Sequence, residues 1–281
     1  MRFLSLLLLS FFSACDKPAH DPPSDVALTR LNQPYGTEPL QKMDIYLPAN
    51  RTTTQTKVIV LIHGGAWNSG DKGDLTVYVD SLKKRMPDYA IFNVNYRLSA
   101  NGKNVFPTQE LDIKAAIEYI HSQRNEFKIS DKFVLLGVSA GAHLALLQGY
   151  KYDSPVKVKA IVDFFGPADM VALYHSPAIS QISPSLIAVL VGTTPTLNPT
   201  LYFESSPINF VTATSPPTII LQGGLDPLVP QAQSVALKDM LVSKGVAAQY
   251  VLYPNEGHGW YGNNLTDSFN KIVAFLSTHV N

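Results

Sequence analysis

Six apolar runs govern what this chain can fold into. They are KVIVLI (Lys57–Ile62), AIFNVNY (Ala90–Tyr96), KFVLLGV (Lys132–Val138), VKAIVDFF (Val158–Phe165), TIILQ (Thr218–Gln222) and AAQYVLY (Ala247–Tyr253). A strand with one wet face alternates apolar and polar residues. A nearly continuous run, rich in β-branched residues, is buried on both faces, and that points to a mostly parallel sheet covered on both sides. The earlier segment KMDIYLP (Lys42–Pro48) does alternate and suits an antiparallel strand. Between the runs lie helix-like segments. Glu110–Gln123 sets Leu111, Ile113, Ile117 and Ile120 at helical spacing. Gln231–Gly245 starts just after Pro230 and stops at Lys244-Gly245, and a last helix spans roughly Leu265–His279. Alternating strand and helix predicts an α/β domain with helices on both faces.

The chain has 281 residues, of which 46% are hydrophobic, enough for one large core or two small ones. Lys plus Arg equals Asp plus Glu at 22 each, and no basic run occurs. The positive excess expected of a nucleic-acid binder is missing. The interval 168–210 breaks the strand–helix alternation. It is rich in Pro, Ser and Thr and holds one apolar helical piece, PSLIAVLVG (Pro184–Gly192). Irregular stretches of this length are usually functional, and this one is expected to form a wall or partial lid at the strand ends.

The first fifteen residues, MRFLSLLLLSFFSAC, read as a targeting segment. Arg2 supplies the positive charge, Phe3–Phe12 the apolar stretch and Ser13-Ala14 the small residues before a cleavage site. The apolar stretch is too short to span a bilayer as a helix. Cys15 is the only cysteine, so no intrachain disulfide is possible. Phe12-Ser13-Ala14-Cys15 resembles a bacterial lipobox, which implies lipidation of Cys15 and membrane anchorage. An ordinary signal peptide with a free Cys15 thiol is the other reading. Both predict export, with residues 1–14 removed, 15–30 as an extended tether and 31–281 as the folded domain.

In an open α/β sheet, ligands bind beyond the carboxyl ends of the strands. HGGAWNSGDKGD follows the run Lys57–Ile62, and Ser139 follows Lys132–Val138. GGLDPLVP follows Thr218–Gln222, and PNEGHGWYG follows Ala247–Tyr253. These loops share one sheet edge and hold, in chain order, Ser139, Asp226 and His258. Gly137-x-Ser139-x-Gly141 is a weak signal alone. A serine hydroxyl needs an adjacent base, however, and here both a base and an acid are available. His258 is the candidate base. His20 falls in the tether, and His63 opens the first loop and suits holding its shape. His121 and His279 are late in helices, and His143 is four residues past Ser139 on the same helix. His175, in the irregular interval, is the remaining rival. Asp226 is the candidate acid, with Asp163 and Asp169 as rivals.

The motifs HGGAW (His63–Trp67), NYRLS (Asn95–Ser99), GVSAGAHLA (Gly137–Ala145), FGPADM (Phe165–Met170), SSPINFV (Ser205–Val211), GGLDPLVP (Gly223–Pro230) and EGHGW (Glu256–Trp260) occur in order. On these the chain, from about Asp44 onward, resembles the α/β-hydrolase esterases related to hormone-sensitive lipase and bacterial carboxylesterases. The small acetyl-xylan and feruloyl-type esterases are the most similar group. The resemblance implies the α/β-hydrolase fold and a serine esterase acting on a small-molecule or polysaccharide-linked ester, with no cofactor and no metal. It implies a triad of Ser139, His258 and Asp226. The oxyanion donors would come from Gly65, Ala66 and Ala140, with Gly64 and Trp67 beside them in the substrate-binding site. Trp260, Tyr261, Leu173 and Tyr174 are further candidates for the pocket lining. Asp112, Asn95 and Arg97 are expected to make structural polar contacts, and NSGDKGD (Asn68–Asp74) to be a solvated turn. An arylformamidase or peptidase-type amide hydrolase stays open, as does a catalytically silent binding protein on the same fold.

Overall fold

The computed structural model describes residues 24–176 and 182–281. The expected signal peptide (1–14), Cys15 and the tether up to residue 23 lie outside them. Eight strands form one sheet in the order β1-β2-β4-β3-β5-β6-β7-β8. The strands are β1 Leu28–Pro34, β2 Lys42–Leu47, β3 Lys57–Ile62, β4 Tyr89–Val94, β5 Phe133–Val138, β6 Ala160–Phe164, β7 Thr218–Gly223 and β8 Ala248–Tyr253. β1 and β2 pair antiparallel, β2 is antiparallel to β4, and every pairing from β4 to β8 is parallel. The six continuous runs are thus β3 to β8, and the alternating one is β2.

Alternate residues of each buried strand face opposite cores. From β3, Val58, Val60 and Ile62 face α2 (Thr108–Ser122), α4 (Ala140–Lys151) and α8 (Gln231–Ser243). Ile59 and Leu61 face α1 (Thr76–Arg85) and α9 (Gly262–His279) on the other side. A short α3 (Arg124–Phe127) closes the α2 hairpin by placing Phe127 against Phe92. Between β6 and β7 lie α5 (Met170–Tyr174), α6 (Pro184–Val191), α7 (Pro199–Glu204) and a 3₁₀ turn at Pro207–Phe210. The apolar piece expected to be helical is α6. The Ser183 hydroxyl accepts from the Leu186 N–H at its start, and left-handed Gly192 ends it.

Three features differ from what the sequence predicts. β1 begins at Leu28, inside the segment expected to be tether up to residue 30. It is held by backbone pairing with β2 at the sheet edge, Leu28 opposite Leu47, and not by a buried face. Helix α1 carries little periodicity because only Val79 and Leu82 of its ten residues are buried. The stretch expected to be a solvated turn is instead partly buried. Lys72 pairs with Asp44 at 3.1 Å, and its N–H donates to Asn95 Oδ1 at 2.6 Å. The Asp71 side chain caps the following 3₁₀ turn. Those partners sit on β2 and just beyond β4, out of sight of local sequence.

Asp163, one of the rival acids, is fully buried in the middle of β6. Its Oδ1 accepts the Gly166 N–H at 2.7 Å, which fixes the turn after β6, while Oδ2 has no partner. Burial raises this carboxyl to about 7. Between the ordinary value, near 4, and about 7 the native state holds a proton that the unfolded chain has lost, so raising pH across this window destabilises the fold. Asp163→Asn removes that penalty. The variant is expected to gain a few degrees of Tm relative to the parent at pH 8 over its difference at pH 5, read by thermal unfolding. An equal difference at the two pH values contradicts a buried protonated acid.

Candidate active site

Ser139 stands where β5 turns directly into α4, with φ 55° and ψ −120°. A non-glycine residue in such a region costs about 1–3 kcal/mol and persists only where its surroundings hold it. Here the first turn of α4 sits hard against the strand ends. A Cβ on Gly141 would lie 2.2 Å from the Ile62 carbonyl oxygen, and one on Gly137 2.3 Å from that of Gly141. Both positions therefore have to be glycine. The Ser139 N–H donates to the Phe164 carbonyl at 2.8 Å, tying the turn to β6.

Asp226 and His258 arrive on the loops after β7 and β8, and these loops are fastened to each other. The Gly224 N–H donates to Tyr253 O and the Leu225 N–H to Glu256 O, at 2.8 and 2.9 Å. Gly223 permits this contact, since a Cβ there would meet Gly257 O at 2.0 Å. The Asp226 side chain is 1% exposed. Its Oδ1 accepts the N–H groups of Leu228 and Val229 at 2.8 and 2.9 Å, and its Oδ2 accepts His258 Nδ1–H at 2.7 Å. That bond leaves the lone pair of Nε2 toward Ser139, whose hydroxyl lies 2.8 Å away. Ser139, His258 and Asp226 are thus brought into one hydrogen-bonded line. Of the rivals, Asp163 is buried within β6, the Asp169 carboxylate caps α5, and exposed His175 packs on Tyr174.

The loop after β3 holds an unusual backbone. Gly65, Ala66 and Trp67 all have positive φ, at 108°, 49° and 60°. His63 donates from Nδ1 to Gly64 O at 2.7 Å and stacks on Tyr96, 4.3 Å between centroids. Burial holds its imidazole below the usual value. The Ser69 hydroxyl donates to Gly65 O, and the Ser99 N–H of NYRLS donates to Trp67 O. Among the described residues the N–H groups of Gly64, Gly65 and Ala66 have no protein acceptor. In NYRLS, Arg97 grips Asp112 with Nε and Nη2, the structural contact expected, while Asn95 turns to Asp71.

These elements enclose a cleft of about 510 Å³ with Ser139 and His258 on its wall. Gly64, Gly65, Ala66 and Trp67 line one side, Phe165, Trp260 and Tyr261 another, and Ile182 and Leu186 come from the β6–β7 interval. Leu173 does not line it. It is fully buried in the core, and Tyr174 packs on Tyr202. Helix α5 turns Met170 and Leu173 inward, and the wall is formed by Ile182 and by Leu186 of α6. Among the described residues no group of three or more His, Cys, Asp or Glu is placed to hold a metal ion.

Three residues near the site have roles that the motifs do not reveal. Gln222, fully buried at the end of β7, donates to Asp226 Oδ2 at 3.3 Å and to the Gly223 and Val229 carbonyls, and it accepts from Ser234. A glutamine ending an otherwise apolar strand run was its only signal. Phe165, with φ 46°, sets its ring 4.5 Å from the His258 imidazole. His143 is buried beneath Trp67, whose indole N–H donates to its Nδ1 at 3.2 Å. Burial lowers His143 to about 4, so it is neutral near pH 7.

A Gly→Ala change within a helix ordinarily stabilises by about 1 kcal/mol. At Gly141 the sign is expected to reverse, with a loss of about 1–3 kcal/mol in denaturant unfolding, because the methyl meets backbone carbonyls instead of movable side chains. A Gly141→Ala protein more stable than the parent would show that α4 does not approach β3 this closely.

Comparison with known proteins supplies the family and the fold. Residues 43–241 match the BD-FAE family. Esterase LipC of Mycobacterium tuberculosis is 26% identical over 80% of this chain and 58% of its own length. The probable carboxylic ester hydrolase LipM of the same organism is 29% identical over 75% of this chain and 50% of its own. The chain therefore spans about half the length of the curated relatives it matches. A solved truncated carbohydrate esterase from gut microbiota has TM-score 0.78 and 27% identity, covering 94% of this chain and 99% of that one. Esterase B of Lactobacillus rhamnosis, 19% identical at TM-score 0.73 over 94% of this chain and 89% of its own, shares the fold. The fold is that of the α/β-hydrolases, and by the match across most of its length this chain belongs to the BD-FAE family.

Proposed function

We propose that this protein is a serine hydrolase that cleaves carboxylic esters through an acyl-enzyme. One observation carries the reading: the unbroken line from Asp226 to His258 to Ser139, at 2.7 and 2.8 Å, opening onto an apolar cleft. His258 takes the proton of Ser139 as Oγ attacks the ester carbonyl, and Asp226 steadies the imidazolium that forms. The tetrahedral oxyanion is received by the N–H groups of Gly65 and Ala66 from one loop and of Ala140 from the start of α4. Each such donor is worth about 3–4 kcal/mol to the transition state. Gly64 lends space, since a Cβ there would lie 2.9 Å from the Val138 carbonyl oxygen. His258 then protonates the leaving alcohol, and water, activated by the same imidazole, releases the acid.

The aromatic and aliphatic lining favours short acyl or aryl groups. Tyr261, at the cleft and 83% exposed, gives an alcohol part a flat surface to lie on. An ester carried on a carbohydrate fits that arrangement, and the similar solved structure is described as a carbohydrate esterase. Export, and lipid attachment at Cys15, complete the reading and rest on the sequence of the first fifteen residues.

Ser139→Ala is expected to reduce turnover of p-nitrophenyl acetate by roughly 10⁴-fold or more while Tm stays within a few degrees. A fluorophosphonate should label Ser139 in the parent alone. Undiminished hydrolysis in the variant would falsify the reading. For the anchor, the full chain made in a bacterium should enter the detergent phase of a Triton X-114 partition, and Cys15→Ser the aqueous phase. Identical partition of the two proteins rules lipidation out.

A further inference from the structure

The oxyanion loop keeps a strained backbone that its own residues do not favour. Ala66 and Trp67 are non-glycine residues in the left-handed region, following Gly65 in the same sense. Such residues are strained and need outside support to persist. Two bonds reach Trp67 from elsewhere in the fold. The Ser99 N–H donates to its carbonyl, and His143 accepts from its indole.

His143 is unusually well defined for that task. It is 2% exposed, on the first full turn of α4, and both ring nitrogens are engaged. Nε2–H donates to the Ser205 carbonyl at 2.7 Å, which fixes the tautomer and leaves Nδ1 as an acceptor. Trp67 Nε1–H fills that acceptor at 3.2 Å, with the two rings edge-on at 87°. Ser205 ends α7, in the same β6–β7 interval that supplies Ile182 and Leu186 to the cleft. The imidazole touches none of the reacting atoms.

We propose that His143 is a positioning residue for the oxyanion site. It accepts from the Trp67 indole, keeps Ala66 and Trp67 left-handed, and so aims the Gly65 and Ala66 N–H groups. Through Ser205 it ties that loop to the segment that walls the cleft. The proposal rests on the esterase reading above. An aimed donor acts on charge that develops only in the transition state, so its loss falls on kcat and spares KM.

The test uses the whole protein, p-nitrophenyl acetate and a trifluoromethyl ketone, whose serine adduct carries the oxyanion. His143→Leu should lower kcat by roughly 10- to 100-fold with KM within about twofold, and raise the inhibitor constant by the same factor. His143→Asn places an amide oxygen where Nδ1 stood and should recover most of the loss. His143→Gln, which reaches toward Ser205 instead, should not. Trp67→Phe removes the same bond from the other side with His143 in place, so it serves if His143→Leu does not fold. It should lower kcat by a similar factor, and adding His143→Leu should lower it no further. Parent-like kcat in both single variants, equal behaviour of Asn and Gln, or a loss confined to KM overturns the proposal. Ser139→Ala separates the two levels: if it hydrolyses normally, the esterase reading falls and this proposal with it. If it is dead while His143→Leu and Trp67→Phe are normal, only the positioning role falls.

Discussion

A backbone-to-backbone approach, closer than any side chain allows, governs this molecule. The start of α4 presses on the ends of β3 and β5 because Gly141 and Gly137 carry no Cβ. That approach leaves Ser139 no relaxed conformation, and the conformation it does take lifts the hydroxyl clear of the sheet toward His258. It also brings the free N–H groups at the start of α4 beside the loop that follows β3. Nucleophile and oxyanion site are consequences of one contact, and the parallel strands set the level at which everything else must arrive.

Polar networks beneath the loops do the remaining positioning. Gln222 sits under Asp226, and Asp112 holds Arg97 of NYRLS. Asp71, Asn95, Asn93 and Lys72 interlock beneath the turn after HGGAW. Buried polar groups like these are costly unless partnered, and once partnered they fix loops that have little apolar surface of their own. Aromatic contacts add to this on the far side, where Phe165 and Trp260 back the His258 loop and Trp260 donates to Ser268 of α9.

Much of this was legible in the sequence because its signals are local. A double-faced apolar run is a strand wherever it pairs, and the order Ser139, Asp226, His258 on successive strand ends needs no knowledge of distance. What escaped depends on partners remote in the chain. Lys72 looked like a solvated lysine because Asp44 and Asn95 are invisible from NSGDKGD. β1 carries no signal in the sequence because edge pairing, not a buried face, makes it a strand. His143 is ruled out as a base by its place on the nucleophile's own helix, and its partnership with Trp67 spans 76 positions of sequence. Leu173 read as pocket lining because sequence does not say which side of a five-residue helix faces inward.

The fastening of the β7 and β8 loops has a mechanical meaning. Acid and base travel as a single body, anchored to β7 and β8, while the nucleophile is anchored at β5. β6 lies between. The separation of Ser139 from His258 is therefore a gauge of how far the sheet twists across three neighbouring strands. A substitution that flattens or over-twists β6 would stretch the bond between hydroxyl and imidazole while leaving all three active groups, and every loop that bears them, internally unchanged.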